Sequence, residues 1–169
     1  MCPRCQIANL GRLQEMDMKI ANSFERPRPR IYFARAVDGM SLDDTLTLAQ
    51  VVAQELARFG LTLVDPVAEQ LGLRSALKDD IKSASRQLVD FDLSTLRTCN
   101  GMLMDMSIPN RNYIGCSCEL TYAYLWKIPT VVYAADSYRA RPWLNYHAQE
   151  VCACRDDAIS ALVELLIYS

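Results

Sequence analysis

The 169-residue chain lacks a long apolar run, and it lacks a surplus of positive charge. No stretch approaches the roughly 20 consecutive apolar residues that a helix needs to cross a bilayer, so we expect no membrane partner. Eighteen Lys and Arg residues stand against 20 Asp and Glu residues, for a formal net charge of −2. Nucleic-acid-binding domains usually carry a basic patch, so the composition argues against a DNA or RNA partner.

Glycine-rich phosphate-binding loops are also missing. Neither a Walker-type loop nor a Gly-x-Gly-x-x-Gly motif follows the first strand-like segment. Their absence argues against a nucleoside triphosphate or a dinucleotide as cofactor, and we expect the chain to use no cofactor.

The cysteines give no clear disulfide or metal pattern. They number seven, an odd count, and Met1–Arg12 has no apolar signal-peptide core, so we expect reduced thiols in a cytoplasmic protein. Cys2–Cys5 has the spacing of half a zinc site. The Cys-x-Cys spacings of Cys116–Cys118 and Cys152–Cys154 point their sulfurs apart in a helix or strand, and we therefore expect no metal.

The chain divides into a short extension and one domain. Two prolines interrupt Phe24–Arg30, and each opposes helix formation at its own position and the one before it. Residues 1–29 are therefore predicted to be an N-terminal extension and linker, and residues 30–169 a single domain.

Strand-like and helix-like segments alternate from Arg30 onward. A helix is expected to start at Ser41 or Asp43 and to end at Gly60, and residues 67–98 look helical with breaks. Further helices are expected over Cys116–Lys127 and Asp156–Ile167, with a polar, aromatic-rich loop over residues 135–149. The predicted strands are Ile31–Arg35, Leu61–Val64, Gly101–Met106, Pro129–Ala134 and Glu150–Cys154.

This alternation predicts a three-layer α/β fold, with a flavodoxin- or Rossmann-like, doubly wound, five-stranded parallel sheet. Ligands of such sheets bind beyond the carboxyl ends of the strands. The ends at Arg35, Asp105 and Ala134 are therefore where we expect chemistry.

Three polar residues stand out near these ends. Glu119 falls in the first turn or so of a predicted helix, whose dipole favours the ionised carboxylate that a nucleophile at a sugar carbon must be. A second, protonated carboxyl group would help the leaving group depart, as in retaining glycosidases, and Asp92 in the helix-opening segment Asp90–Leu93 is the candidate. Tyr32 is placed to orient Glu119. Each residue also has a purely structural interpretation. Glu119 can be a surface residue, Asp92 a helix N-cap and Tyr32 a core residue.

These residues, in this order, resemble the nucleoside 2-deoxyribosyltransferase family and its nucleotide N-hydrolase branch. The resemblance covers roughly residues 30–135. It implies a flavodoxin-like fold, a covalent glycosyl–Glu intermediate, and homodimers or larger homo-oligomers. By this resemblance Glu119 is the nucleophile, Asp92 the proton donor and Tyr32 its helper. The matching motifs are Tyr32-Phe-Ala34, Asp92-Leu93, Gly115-x-x-x-Glu119 with Ala123, and Lys127-Ile-Pro129.

The turn after the first predicted strand departs from the family pattern. Arg35 stands where the family usually has Gly, and Ala36 and Asp38 replace a Ser and an Arg that bind the 5′-phosphate in the nucleotide hydrolases. Arg35 has the planar fork that suits phosphate. Ser117, Arg111, Arg139 and Arg141 are alternatives to it. The residues expected to contact substrate are Arg35, Asp38, Gly39, Asp105, Gly115, Ser117 and Asn145.

The leading hypothesis is an enzyme that cleaves the N-glycosidic bond of a nucleoside 5′-monophosphate or nucleoside and releases the free base. One alternative is a deoxyribosyltransferase that exchanges bases. Others are a non-catalytic nucleotide-binding module and an NAD-cleaving domain of the same broad architecture.

Overall fold

A computed structural model describes residues 27–37, 39–70 and 81–167 of the chain. The predicted N-terminal extension therefore lies almost wholly outside the described residues. None of the described helices combines the length and apolar character that a membrane crossing requires. The strands are β1 Arg30–Arg35, β2 Thr62–Val64, β3 Gly101–Met106, β4 Thr130–Ala134 and β5 Glu150–Cys152. The helices are α1 Leu42–Ala57, α2 Pro66–Glu69, α3 Ile81–Arg97, α4 Ile114–Leu125, α5 Asp136–Arg139, α6 Pro142–His147 and α7 Arg155–Ile167.

The five strands form one parallel sheet in the order β2-β1-β3-β4-β5. This is the flavodoxin-like order, in which the chain changes direction across the sheet between β1 and β3. The three-layer, doubly wound parallel sheet predicted from the sequence is confirmed. Tyr32 pairs with Met102, and Arg35 pairs with Asp105 at the carboxyl edge.

Each face of the sheet is covered by its own helices, because both faces of the central strands are apolar. Side chains alternate between the faces along each strand. The two cores are separate: one joins Tyr32, Ala34, Met102, Met104 and Val132 to Leu96 of α3 and Leu120 of α4, and the other joins Ile31, Phe33, Leu103 and Val131 to Leu56 of α1 and Leu162 of α7.

Helix α1 begins at the first of its two predicted caps. The Ser41 side chain accepts a hydrogen bond from the Asp44 N–H at 3.0 Å, which satisfies one of the amide groups left unpaired at a helix start. Gly60 follows the helix with a φ of +73°, a conformation that favours glycine.

Helix α3 extends further toward the N-terminus than the expected break at Asp90. It is already formed at Ile81, so Asp90–Leu93 lies inside the helix and Asp92 is not its N-cap. The buried residues Ala84, Asp92 and Leu96 are spaced by eight and four, which keeps them on one helical face. The prediction was wrong here because Asp92 belongs to the buried stripe despite its charge.

Two further segments show larger differences from the sequence prediction. Helix α4 begins at Ile114 instead of Cys116, where the Asn112 side chain accepts a hydrogen bond from the Ile114 N–H at 3.0 Å. The segment over residues 135–149, expected to be a loop, contains α5 and α6. Pro142 opens α6, a position where its fixed φ and missing N–H are tolerated.

A buried ion pair ties the end of β1 to the end of β2. Two nitrogens of the Arg35 guanidinium donate to the two oxygens of Asp65 at 2.8 and 2.9 Å. The Arg35 side chain is 2% exposed and that of Asp65 11% exposed. Asp65 also accepts from the Val67 N–H at 3.0 Å, so the same carboxylate caps α2.

Removing one charge of this pair should destabilise the protein strongly. We expect Asp65→Asn, which preserves the side-chain shape and a capping oxygen, to lower the free energy of unfolding by about 3–5 kcal/mol, since a charge is left buried without its partner. Urea denaturation provides the measurement. Asp136→Asn is the matched control, because the Asp136–Arg139 pair is exposed and should contribute little. Equal free energies of unfolding for the two variants would contradict the conclusion that the buried Arg35–Asp65 pair is important for stability.

Candidate active site

A short hydrogen bond joins β1 to α4. The Tyr32 hydroxyl donates to Oε1 of Glu119 at 2.6 Å. Tyr32 is fully buried on the sheet face that packs against α3 and α4, whereas Glu119 is half-buried. The distance is typical of a hydroxyl bound to a charged carboxylate. The bond fixes one oxygen of Glu119 relative to the central strand of the sheet.

Tyr32 remains a hydrogen-bond donor over the physiological range. Burial raises the pKa of its hydroxyl well above the ordinary value of 10, and the charges of Glu119 and Asp92 raise it further. An ionised phenolate beside two carboxylates would be strongly disfavoured. Tyr32 therefore presents a proton to Glu119, as its predicted orienting role requires.

Glu119 lies deeper in its helix than the sequence suggested. Because α4 starts at Ile114, Glu119 is in the second turn, and the first turn contains no acidic residue. The stabilisation of a negative charge by the helix dipole falls off beyond the first turn. The direct hydrogen bond from Tyr32 is therefore the better physical reason for a well-placed carboxylate.

Asp92 approaches the same region from α3, and a glutamine holds it. The Nε2 group of Gln70 donates to Oδ1 of Asp92 at 2.8 Å, and both side chains are buried. Oε1 of Gln70 is buried and has no hydrogen-bond partner among the described residues. Gln70 was not predicted from the sequence, because it follows β2, whereas the expected site lay at the ends of β1, β3 and β4.

Glu119 and Asp92 line one cleft of about 280 Å³. It lies where β1 and β3 end, at the point where the strand order reverses, which is where ligands of such sheets bind. Its walls come from the end of β1, from α3 and from the start of α4. The lining residues are Arg35, Ala36, Val37, Leu88, Asp92, Asn112, Tyr113, Ile114, Gly115, Cys116 and Glu119.

The Arg35 and Asp105 side chains lie on the other face of the sheet. Strand alternation directs both side chains away from Tyr32. Arg35 borders the cleft, but Asp65 engages both of its terminal nitrogens. Asp105 accepts a hydrogen bond from the Ser107 N–H at 2.8 Å and so caps the loop that follows β3.

Of the other residues expected to contact substrate that the structure describes, only Gly115 lines the cleft. Ser117 lines a neighbouring cavity. Gly39 has a φ of +74°, and a Cβ placed on it would lie 2.5 Å from Nη1 of Arg111. Asn145 donates to the carbonyl oxygens of Arg139 and Arg141, which ties α5 to α6. Asp38 lies outside the described residues.

The neighbouring cavity has a volume of about 590 Å³ and lies between α4 and the α5–α6 segment. It shares the residues Asn112, Tyr113 and Ile114 with the cleft that contains Glu119 and Asp92, so the two spaces are adjacent. His147 lines the neighbouring cavity and is buried, stacked on Trp143 with ring centroids 5.3 Å apart.

Within residues 27–37, 39–70 and 81–167, no three His, Cys, Asp or Glu side chains are grouped so that they could hold a metal ion. Five cysteines in these ranges are free thiols: Cys99, Cys116, Cys118, Cys152 and Cys154. Cys2 and Cys5, the half-site considered for zinc, lie outside the described residues.

No protein-family model matches the chain, and no curated protein matches it in sequence. Solved structures do match. A 2-deoxyribosyltransferase from Bacillus psychrosaccharolyticus superposes with a TM-score of 0.61 at 16% identity, over 81% of this chain and 95% of that one. A conserved protein from Enterococcus faecalis V583 gives 0.57 at 16% identity, over 82% and 99%. A CMP N-glycosidase from Clostridium botulinum gives 0.48 at 12% identity, over 83% and 99%. The first two likenesses show a shared fold.

Tyr32 should make stability sensitive to alkaline pH. Its stabilising contribution is fully present below pH 10, the usual pKa of an unfolded tyrosine, and is lost at higher pH because only the unfolded state gives up the proton. We expect Tyr32→Phe to reduce the steepness of this loss by about 1.4 kcal/mol per pH unit. Urea unfolding at a series of pH values from neutral to above 10 measures it.

Tyr146→Phe is the control for this experiment, since the Tyr146 ring is 66% exposed. Wild type and the control should lose stability at the same rate above pH 10. A Tyr32→Phe profile parallel to theirs would show that the Tyr32 hydroxyl is not held protonated by its surroundings.

Proposed function

We propose that the chain is an enzyme of the nucleoside 2-deoxyribosyltransferase family that cleaves the N-glycosidic bond of a nucleoside or nucleoside 5′-monophosphate. The observation that carries the proposal is the 2.6 Å hydrogen bond from Tyr32 to Glu119, in a cleft that also contains Asp92. A fixed carboxylate and a second carboxyl group in one cleft form the pair that retaining glycosidases use. The ordered sequence motifs and the shared fold support the same family.

Glu119 acts as the nucleophile in this mechanism. One of its oxygens forms a bond to C1′ of the sugar while the bond from C1′ to the base nitrogen breaks. The electron pair of that bond leaves with the base, and Asp92 supplies a proton to it. Tyr32 keeps Glu119 aligned during the attack by donating to Oε1. The product of this first half is a glycosyl ester on Glu119 and a free base.

Asp92 serves both halves of the reaction. Having given up its proton, it takes one from the water that attacks C1′, and the ester bond to Glu119 breaks. The net reaction consumes one water and regenerates both carboxyl groups. Gln70 is a positioning residue, since its amide holds Oδ1 of Asp92 at 2.8 Å.

Hydrolysis and transfer differ only in the second half, where a second base replaces water in a deoxyribosyltransferase. The non-catalytic alternative would bind nucleotide tightly and release no base. Chromatography of products from a panel of ribo- and deoxyribonucleosides and their monophosphates, with and without an acceptor base, separates these outcomes. The cytoplasmic location and the homodimer remain predictions. Light scattering coupled to size exclusion tests the homodimer.

Glu119→Gln should abolish base release, typically by several orders of magnitude for a lost nucleophile. The substitution keeps an oxygen that can accept from Tyr32, so the fold should be preserved while the nucleophilic charge is lost. Free base is quantified by chromatography under single-turnover conditions. Glu150→Gln, an exposed residue at the start of β5, should retain wild-type release. Base release by Glu119→Gln at a comparable rate would exclude Glu119 as the nucleophile.

The acid role of Asp92 predicts a substrate-dependent defect. Asp92→Asn should slow release of an ordinary purine by about 10²–10⁴-fold, the usual contribution of general acid catalysis. An N7-methylated purine carries a positive charge and departs without protonation, so the first step should be largely restored with such a nucleoside. The readout is the burst of free base at high enzyme concentration. An equal defect with both substrates would argue that Asp92 is structural.

A further inference from the structure

The cavity beside the catalytic cleft is the larger of the two and has no role in the chemistry described so far. The cleft, at about 280 Å³, lies just below the usual range of small-molecule sites, roughly 300–1,000 Å³. The cavity, at about 590 Å³, lies well inside it. Because Asn112, Tyr113 and Ile114 line both, the cavity directly adjoins the cleft.

The proposed mechanism fixes which end of a substrate faces this cavity. The base must lie within reach of Asp92, and therefore toward α3. The sugar lies over Glu119. The end of the nucleoside remote from the base then points toward Asn112–Ile114 and the cavity behind it. A substituent on the 5′ oxygen would extend in this direction.

Arg111 provides the anion-binding group at the junction. The Tyr138 hydroxyl bonds both the N–H and the carbonyl oxygen of Arg111 at 3.1 Å, which anchors its backbone. Its guanidinium lies against Gly39, where a Cβ would come within 2.5 Å of Nη1. Arg111 thus spans the turn after β1 and the loop after β3. The five N–H donors of a guanidinium can hold a turn and bind a phosphate at once.

The remaining walls suit a planar ring. Tyr138 packs edge-on against Tyr113 with centroids 5.4 Å apart. Trp143 stacks on His147 at an interplanar angle of 11°, yet it is 75% exposed. A bare phosphate would make no use of these apolar surfaces. An aromatic group attached to the phosphate would stack on them.

We propose that this cavity binds the distal half of a dinucleotide substrate, with its phosphates at Arg111 and its second ring against Trp143 and Tyr138. The inference rests on the proposed function for the direction of the substrate, and it extends that function by naming the substrate class. Arginine and aromatic side chains here replace the glycine-rich loop that the sequence lacks.

Binding of ADP tests the cavity without any catalysis. ADP carries the phosphates and a ring of the distal half, and it should quench Trp143 fluorescence saturably at millimolar concentration or below. Arg111→Gln should weaken this binding about tenfold, the typical effect of losing a charge-assisted hydrogen bond. Trp143→Phe should remove the signal, whereas Trp126→Phe should retain it. Arg58→Gln, at the far end of α1, is the matched arginine control. No saturable quenching, or equal weakening by both arginine variants, would overturn the proposal.

A substrate series tests whether the cavity serves the active site. For a base that the wild type releases, kcat/KM should rise from the nucleoside to its 5′-monophosphate and again to its diphosphate-linked dinucleotide with adenosine. Arg111→Gln should reduce kcat/KM for the dinucleotide at least tenfold more than for the nucleoside, mainly through KM. Equal kcat/KM values for the nucleoside, the monophosphate and the dinucleotide would overturn the inference and leave the proposed function intact. If no base is released from any member, the proposed function fails, and ADP binding still decides whether the cavity is a site.

Discussion

The direct pairing of β1 with β3 is the constraint on which the site depends. It places Tyr32 beside Met102, on the sheet face covered by α3 and α4. Only in this strand order does the helix that follows β3 start next to the end of β1. The Tyr32–Glu119 hydrogen bond therefore joins residues 87 positions apart, and the topology brings them together. In a parallel sheet, residues that are distant in sequence come together at the carboxyl edge, since every strand ends there.

The alternation of side chains along β1 places Tyr32 and Arg35 on opposite faces of the sheet. Tyr32 faces the helices that carry the carboxyl groups, and Arg35 faces the opposite layer, where Asp65 neutralises it. The charge of Arg35 thus stabilises the junction of β1 and β2 at the border of the cleft. The family that the sequence resembles usually has glycine at this position, and here the Arg35 guanidinium is bound to Asp65 at the end of β2. With Arg35 engaged by Asp65, the cation that we propose for the substrate is Arg111 in the β3–α4 loop.

Much of this architecture could be predicted from local patterns. The apolar run of β3 and the periodicity of α1 contributed to the predicted element order. The place of Glu119 near a predicted helix start, together with the ordered motifs, indicated a carboxylate site. The features that escaped prediction depend on tertiary packing. Asp92 looked like a helix start because aspartate favours caps, but its neighbours in α3 share a buried face. Gln70 and Asp92 are 22 positions apart in the sequence, and no local pattern predicts that they form a hydrogen bond.

The side-chain amide of Gln70 offers two complementary groups to one carboxyl group. Its N–H donates to Asp92, and its buried carbonyl oxygen has no partner among the described residues. A carboxylate accepts hydrogen bonds, whereas a protonated carboxyl group also donates one. A half-turn of the amide exchanges its nitrogen for its oxygen, so Asp92 can be bonded in either protonation state. In the proposed mechanism, Asp92 therefore keeps a hydrogen-bond partner both before and after it gives up its proton.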